Sequence, residues 1–213
     1  NRGGAGASFV VFGKADGTSV ELSAIEAGTG GFVINGVSQF DFSGRSVSSA
    51  GDVNGDGFDD LIIGAPYADP NNDESGASFV VFGKADGTAI ELSTIEDDTN
   101  TGGFVINGVS QNDQSGFSVS SAGDVNGDGF DDLIIGAWGD DPGNRGATGA
   151  SFVVFGKADG TAIELSAIED NTNTGGFVIN GVSQDDQSGF SVSSAGDVNG
   201  DGFDDLIIGA PYA

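Results

Sequence analysis

The apolar residues of this 213-residue chain fall into short blocks separated by stretches rich in Gly, Asp and Ser. Typical blocks are Phe9–Phe12 and Leu61–Ile63, which contain the aromatic and branched residues that favour strands. Apolar positions with the spacing of an amphipathic helix are hard to find along the chain. The pattern therefore predicts an all-β protein.

The same blocks recur along the chain as an internal repeat. Residues 76–137 and 149–210 align over 62 positions with three differences, and a more divergent copy precedes them. Asp-rich loops recur with the same period, the second 72 residues after the first and the third 73 residues after the second. This self-similarity predicts a repeat architecture in which every unit packs in the same way.

Each unit is predicted to contain four strands. In the second unit the first two strands are Phe117–Ala122 and Leu133–Ile135, and the Asp-rich loop between them should make a hairpin. The third and fourth strands are predicted at Ser151–Phe155 and Phe177–Asn180. The stretch Ala162–Ile168 fits either a short strand or a helical turn.

Four short antiparallel strands per unit of about 70 residues are typical of a β-propeller blade, which is buried only against neighbouring blades. We expect one domain over residues 1–213, with blade equivalents at about 44–110, 116–183 and a split blade made of 189–213 and 1–37. Three blades are fewer than the four to eight of closed propellers. Two alternatives are open: a homodimer completes a six-bladed ring, or the segment belongs to a longer array.

Composition excludes several classes of function. The net charge of −27, from 33 acidic and six basic residues, argues against nucleic-acid binding, which needs a basic surface. The absence of Cys and His excludes disulfides and zinc–thiolate sites and removes the usual general base. No apolar run approaches the roughly 20 residues of a membrane span. Because no nucleophile–base pair stands out either, we do not expect an enzyme.

Acidic residues concentrate in three identical nine-residue loops with four Asp each, at Asp52–Asp60, Asp124–Asp132 and Asp197–Asp205. Side-chain oxygens at loop positions 1, 3, 5 and 9 and the backbone carbonyl at position 7 can converge on one cation, since Gly at position 6 permits a sharp turn. Such an oxygen-only donor set favours Ca²⁺ over Mg²⁺ and over soft metals. The sequence thus predicts three Ca²⁺ ions per chain. The predicted ligands are Asp52, Asn54, Asp56, Phe58 and Asp60; Asp124, Asn126, Asp128, Phe130 and Asp132; and Asp197, Asn199, Asp201, Phe203 and Asp205.

Two other interpretations of these loops are weaker. An EF-hand needs Glu at loop position 12, where this chain has Ile63, Ile135 and Ile208. An ordinary Asp/Asn/Gly turn does not account for three copies with identical donor spacing. The eighth loop residue faces away from the ninth on a strand, so we assign it to local hydrogen bonding or solvent. These eighth residues are Asp59, Asp131 and Asp204.

The pieces Phe82-Gly83 and Gly64-Ala65-Pro66, together with the Asp-rich loop, resemble FG-GAP repeats, the propeller blades of integrin α-subunits and of many bacterial surface proteins. The resemblance covers essentially the whole chain, although the second copy reads Gly136-Ala137-Trp138 at the Gly-Ala-Pro position. It implies a β-propeller with Ca²⁺ in the hairpin between the first two strands of each blade.

These observations favour a calcium-stabilised protein that is secreted or exposed on a cell surface, as in bacterial extracellular proteins. The expected function is binding or adhesion to a protein or glycan ligand, and the alternative is a purely structural spacer in a larger surface protein. Three aromatic residues after the second strands, Tyr67, Trp138 and Tyr212, fit either a contact ring or blade packing. Arg45 stands where the other units have Phe, which indicates local repacking.

Overall fold

A computed structural model of the chain describes residues 3–69, 74–97, 99, 101–141 and 146–213. Within these residues the chain forms short strands and three single-turn helices, arranged as repeated units. The strands are β1 (Ala7–Val11), β2 (Gly31–Asn35), β3 (Ser46–Gly51), β4 (Asp60–Ala65), β5 (Ala77–Val81), β6 (Ile90–Glu91), β7 (Gly103–Asn107), β8 (Ser118–Gly123), β9 (Asp132–Ala137), β10 (Ala150–Val154), β11 (Ile163–Glu164), β12 (Gly176–Asn180), β13 (Ser191–Gly196) and β14 (Asp205–Gly209). The helices are α1 (Leu22–Glu26), α2 (Leu92–Glu96) and α3 (Leu165–Glu169).

Two units form complete antiparallel sheets of four strands in chain order, β3-β4-β5-β7 and β8-β9-β10-β12. Each of these two units also contains a two-residue strand that pairs with the sheet of the preceding unit. Ile163 of β11 lies parallel to Ile106 of β7, and Ile90 of β6 lies parallel to Ile34 of β2. These added strands tie consecutive sheets together through backbone hydrogen bonds as well as packing.

The two ends of the chain lie in separate sheets. At the amino-terminal end β1 pairs with β2, and at the carboxy-terminal end β13 pairs with β14. Among the described residues these two pairs do not join each other, and no sheet closes on itself. The expected split blade from residues 189–213 and 1–37 therefore stays a prediction.

The four strands predicted for the second unit are confirmed as β8, β9, β10 and β12, with bounds shifted by one or two residues. The stretch for which strand and helical turn were both open contains both in succession, β11 and then α3. Leu165 and Ile168 are buried at helical spacing, and Ile163 is buried within the short strand. The segment changes from strand to helical spacing because that change buries all three side chains.

The hydrophobic core lies between neighbouring sheets. One core cluster joins Val80 and Phe104 of one complete sheet to Leu133 and Phe152 of the next. All four are at most 1% exposed, and full burial of such side chains stabilises a fold by about 1.5–3 kcal/mol each. Strands of the complete sheets are apolar on both faces because each sheet has a neighbour on either side.

Candidate metal centre

Each Asp-rich loop connects the first and second strands of a unit, as predicted. In the first unit the β3–β4 register shifts at Gly51, directly before the loop. The backbone of Gly57, the sixth loop residue, has φ of 90°, which is in the left-handed region that glycine adopts without strain. The shifted register and this turn fold nine residues back on themselves as a compact lobe.

Backbone amides hold the first carboxylate of each loop in the middle of the turn. Asp52 Oδ1 accepts hydrogen bonds from the amides of Gly55 at 2.8 Å and Asp56 at 3.0 Å, and Asp52 Oδ2 accepts one from Gly57 at 2.9 Å. Asn54 Oδ1 accepts a bond from the Asp56 amide at 2.8 Å. The same bonds recur in the other two loops. The predicted donors at positions 1, 3 and 5 are thus brought together by local backbone geometry.

The ninth residue closes the loop from the strand side. Asp60 is fully buried, and its Oδ2 accepts the Val53 amide at 3.0 Å while its Oδ1 accepts the Gly83 amide at 2.8 Å. Gly83 follows the third strand of the unit, so this carboxylate joins the hairpin to the rest of the sheet. Asp132 makes the equivalent pair of bonds with Val125 and Gly156, both at 2.9 Å.

Burial and neighbouring negative charge dominate the electrostatics of these loops. Burial, together with the charges of Asp56 and Asp52, raises the pKa of Asp60 to about 6 against the lowering effect of the Gly83 and Val53 amides. The pKa of Asp132 is raised to about 6 for the same reasons. A cation beside these carboxylates would favour their charged forms and would therefore lower the pKa values that burial raises.

Two of the three Asp residues at loop position 8 do not make the local hydrogen bonds or solvent contacts that we expected. Asp131 Oδ2 accepts the backbone amide of Asp52 in the preceding unit at 2.8 Å, and Asp204 accepts the amide of Asp124 at 3.2 Å. The expectation was wrong for Asp131 and Asp204 because packing of consecutive sheets sets their loops side by side, whereas Asp59 is exposed. Gly51 makes this contact feasible, since a Cβ there would lie 2.2 Å from Asp131 Oδ2.

The described residues contain no group of three or more acidic side chains already arranged to hold a metal ion. The chemistry of the donor set nevertheless fits calcium, because it consists of carboxylate, amide and carbonyl oxygens with no sulfur or imidazole. Asp52 Oδ2 accepts one amide hydrogen bond and keeps a second lone pair, whereas Asp52 Oδ1 accepts two. The fifteen predicted ligands therefore stay a prediction that the donor chemistry supports.

Packing accounts for two of the three aromatic residues after the second strands. The ring centroids of Trp138 and Phe117 are 5.8 Å apart, and those of Tyr67 and Phe42 are 5.5 Å apart. Tyr212, at the last unit, is 69% exposed. The Arg45 guanidinium lies 4.2 Å from the centre of the Phe117 ring in the next unit, which fits the repacking interpretation.

Comparison with protein families decides what these repeated hairpins are. The FG-GAP repeat model matches residues 43–81, 115–154 and 188–213, and each match includes one Asp-rich loop. The chain is an FG-GAP repeat protein. Its four-stranded sheets are accordingly the propeller blades that this repeat implies, which confirms the predicted all-β fold.

Relatives of this FG-GAP chain include integrin α-subunits and an enzyme. It is 29% identical over 221 residues to integrin alpha-PS2 of Drosophila melanogaster, a match that covers 94% of this chain and 15% of that protein. It is 32% identical over 198 residues to integrin alpha-5 of Xenopus laevis, covering 84% of this chain and 16% of that protein. It is 28% identical over 194 residues to phosphatidylinositol-glycan-specific phospholipase D of Dictyostelium discoideum, covering 88% of this chain and 20% of that protein.

The chain thus spans a fifth or less of the length of these relatives. Within the described residues, the helices are all too short to cross a membrane.

Proposed function

We propose that this FG-GAP chain is a calcium-stabilised extracellular propeller module that binds a protein or glycan ligand in adhesion. The observation that carries the proposal is the recurrence of one oxygen-donor loop in three matched repeats. The similarity to integrin α-subunits supports the adhesion class and a location on or outside the cell.

In this proposal each loop binds one Ca²⁺. Side-chain oxygens at positions 1, 3, 5 and 9 and the carbonyl oxygen of the Phe at position 7 would hold the ion, with Asp52–Asp60 as the first such set. The ion would supply positive charge to a hairpin in which the charges of Asp56 and Asp52 help to raise the pKa of Asp60. Calcium sites of extracellular modules often bind at about 10⁻⁴–10⁻³ M, so such sites fill outside cells.

Thermal unfolding with calcium and with excess chelator tests the metal. Calcium at ten times its dissociation constant stabilises a folded protein by about 1.4 kcal/mol per site, or about 4 kcal/mol for three sites. For a chain of this size that corresponds to a Tm shift on the order of 10 °C. An unchanged Tm in chelator would contradict the proposal.

Matched variants distinguish the effect of the loop carboxylates on calcium binding from the effect of acidic charge in general. Replacing Asp56, Asp128 and Asp201 by Asn should abolish the calcium-dependent shift in Tm. The control replaces Asp16, Asp86 and Asp159, one exposed Asp in each unit outside the loops, by Asn. The control should keep the full shift, because it removes the same charge from positions that are not proposed ligands.

Binding is tested by probing a glycan array and a panel of extracellular-matrix proteins with the chain in calcium. Specific binding that chelator abolishes would support the adhesion function. Failure to bind any probe would instead favour the spacer function. That alternative is supported by the near-identity of two units over 62 residues, since a spacer needs no distinct site.

We also propose that the chain has no catalytic role of its own. The match to phospholipase D covers 20% of that protein, and the family model finds FG-GAP repeats along this chain. Release of product from a phosphatidylinositol-glycan substrate by the purified chain would contradict this.

A further inference from the structure

Asn-Gly pairs occur six times in this chain, in two structural settings. Three pairs lie in the Asp-rich loops, at Asn54-Gly55, Asn126-Gly127 and Asn199-Gly200. The other three stand at the ends of strands β2, β7 and β12, at Asn35-Gly36, Asn107-Gly108 and Asn180-Gly181. In such a pair the backbone nitrogen of the Gly can approach the Asn side-chain amide, because Gly has no Cβ to restrict its backbone. The two settings surround the same chemical pair with different groups.

In the first loop three contacts surround the Asn54 side chain and the nitrogen that follows it. Asp52 Oδ1 accepts the Gly55 backbone N–H at 2.8 Å, so a carboxylate oxygen lies at the proton of that nitrogen. Asn54 Oδ1 accepts the Asp56 backbone N–H at 2.8 Å, and Asn54 Nδ2 donates to Asp56 Oδ2 at 3.2 Å. An Asn side chain that accepts the amide two residues on folds back over the peptide between them. The Asn54 amide carbon therefore lies over the Gly55 nitrogen.

The second loop has the same arrangement. Asp124 Oδ1 accepts the Gly127 backbone N–H at 2.7 Å, and Asn126 Oδ1 accepts the Asp128 backbone N–H at 2.8 Å. Asn126 Nδ2 donates to Asp128 Oδ2 at 2.9 Å. Both Gly residues of these pairs are exposed, so water reaches them. Both loops belong to complete four-stranded sheets, and the third loop repeats the two backbone bonds.

The pairs at strand ends are held differently. Gly108 donates its backbone N–H to the Gly76 carbonyl oxygen at 2.9 Å, and Asn107 Nδ2 donates to Glu164 Oε1 at 2.7 Å. Equivalent bonds hold Asn35 and the Gly after it. The Asn107 side chain thus reaches toward the neighbouring strand, and β7 is paired on both sides, with β5 and β11. Bringing the Gly nitrogen to the side-chain amide there would break strand pairing.

We propose that the Asn of each Asp-rich loop is a site of self-catalysed amide loss through a succinimide. The Gly55 nitrogen bonds to Asn54 Cγ and gives its proton to Asp52 Oδ1. The electron pair of the Cγ–Oδ1 double bond moves onto Oδ1, where the Asp56 N–H stabilises it. As that double bond re-forms, the Cγ–Nδ2 bond breaks, and Nδ2 takes up the proton and leaves as ammonia. Water then opens the ring at Cγ to give Asp, or at the backbone carbonyl carbon to give isoaspartate.

The two products change the loop in different ways. Asp at loop position 3 keeps an oxygen donor where the Asn amide stood and adds a negative charge. Isoaspartate carries the backbone through the side-chain carbon, so the chain between positions 3 and 4 becomes one carbon longer. The donors at positions 1, 3 and 5 then lose the spacing that lets them converge on one cation. The second product should therefore weaken the proposed calcium loop.

Calcium should slow the reaction, a consequence that rests on the proposed function. Asp52 and Asn54 are among the proposed ligands. An ion beside Asp52 draws on the electron pairs of its carboxylate, which then accepts the Gly55 proton less readily. The bound ion also holds the Asn54 amide in place and opposes its further approach to the Gly55 nitrogen. These two effects should outweigh polarisation of the Asn54 carbonyl, because ring closure needs both proton removal and approach.

Peptide mapping by mass spectrometry, after incubation of the folded chain in excess chelator, measures the reaction at each pair. Circular dichroism confirms that the chain stays folded. Asn54 and Asn126 should gain the mass of an amide converted to an acid about tenfold or more faster than Asn35 and Asn107. In the urea-unfolded chain all four should convert at comparable rates, since each is followed by Gly. Equal rates at loop and strand pairs of the folded chain would overturn the proposal, as would intact loop pairs under conditions that convert the unfolded chain.

The variant Asp124→Asn tests the proton acceptor. It removes the carboxylate beside Gly127 and leaves an amide oxygen of the same shape to accept the backbone bonds. In chelator, conversion at Asn126 should slow by about tenfold or more. Asn54 of the same chain keeps its own Asp52 and serves as the matched control, with an unchanged rate. An unchanged rate at Asn126, or an equal change at Asn126 and Asn54, would contradict the role of Asp124.

A parallel incubation in saturating calcium separates this proposal from the proposed function. Conversion at Asn54 and Asn126 should be slower than in chelator, whereas the slow conversion at Asn107 should not change. Equal rates in calcium and in chelator, in a chain whose Tm does respond to calcium, would refute the protective effect. Equal rates in a chain whose Tm ignores calcium would instead refute the calcium proposal, and the preference for loop pairs in chelator would still support amide loss.

Discussion

Asp140 is a buried carboxyl that should make the stability of this protein fall as pH rises. The side chain is 3% exposed, and its Oδ2 has no hydrogen-bond partner among the described residues. Burial, together with the charges of Asp113 and Glu169, raises its pKa to about 7 against the lowering effect of the Asp141 amide. The equivalent position in the first unit is Ala68, also 3% exposed, so the fold accommodates Ala there.

The magnitude follows from the difference between folded and unfolded proton affinities. The folded-state pKa of about 7 lies above the ordinary value of 3.8. Between these values the folded protein binds the proton and the unfolded chain does not. Each pH unit in that window therefore lowers the free energy of unfolding by about 1.4 kcal/mol. The loss starts above pH 3.8 and is complete above pH 7, with an upper limit of about 4 kcal/mol.

The assay is urea unfolding of the wild type and Asp140→Ala at pH 5 and pH 8, at fixed calcium concentration. The variant should be more stable at both values, and its advantage should grow by about 2–3 kcal/mol between them. Asp97→Ala, which removes an exposed carboxyl, serves as the control for net charge. An advantage of Asp140→Ala that is the same at pH 5 and pH 8 would refute the reasoning.

Two further substitutions probe the contacts between blades. Gly51→Ala should destabilise the fold by more than about 2 kcal/mol in urea unfolding, because its φ is +74° and the new Cβ would meet Asp131 Oδ2 at 2.2 Å. Gly57→Ala shares the left-handed backbone but has open space, so an equal loss for the two variants would contradict the clash. Lys157→Ala should cost about 0.5–1 kcal/mol, since its Nζ lies 4.4 Å from the centre of the Phe104 ring in the preceding blade. Lys157→Arg should retain most of that stability, and a full loss in Arg would indicate a different contact.

The strands and the Asp-rich loops could be predicted because their signals are local. β9 contains the uninterrupted apolar block Leu133–Ile135, and the loop before that block has Asp, Asn and Gly at spacings that act within nine residues. The inward arrangement of Asp52 and its backbone donors follows from the same local spacing. Because the units are nearly identical, a local prediction made for one unit applies to the others.

Contacts that cross from one unit to the next could not be predicted in the same way. Asp131 was expected to make local hydrogen bonds or to face solvent, yet it accepts a hydrogen bond from the amide of Asp52, which is 79 residues away. The short strand β11 leaves its own unit to pair with β7. Neither contact has a signal in the residues that precede or follow it, since both depend on how sheets pack side by side.

The sequence by itself determined that the protein is an all-β repeat with three identical oxygen-rich hairpins, because hydrophobic period and turn chemistry act over a few residues. Only the tertiary structure decided where blades touch and which apolar residues are left exposed. Ile134 and Ile207 have the same neighbours in sequence, but one is fully buried and the other is 60% exposed. The physical reason is that burial depends on the presence of an adjacent blade, which no stretch of one repeat encodes.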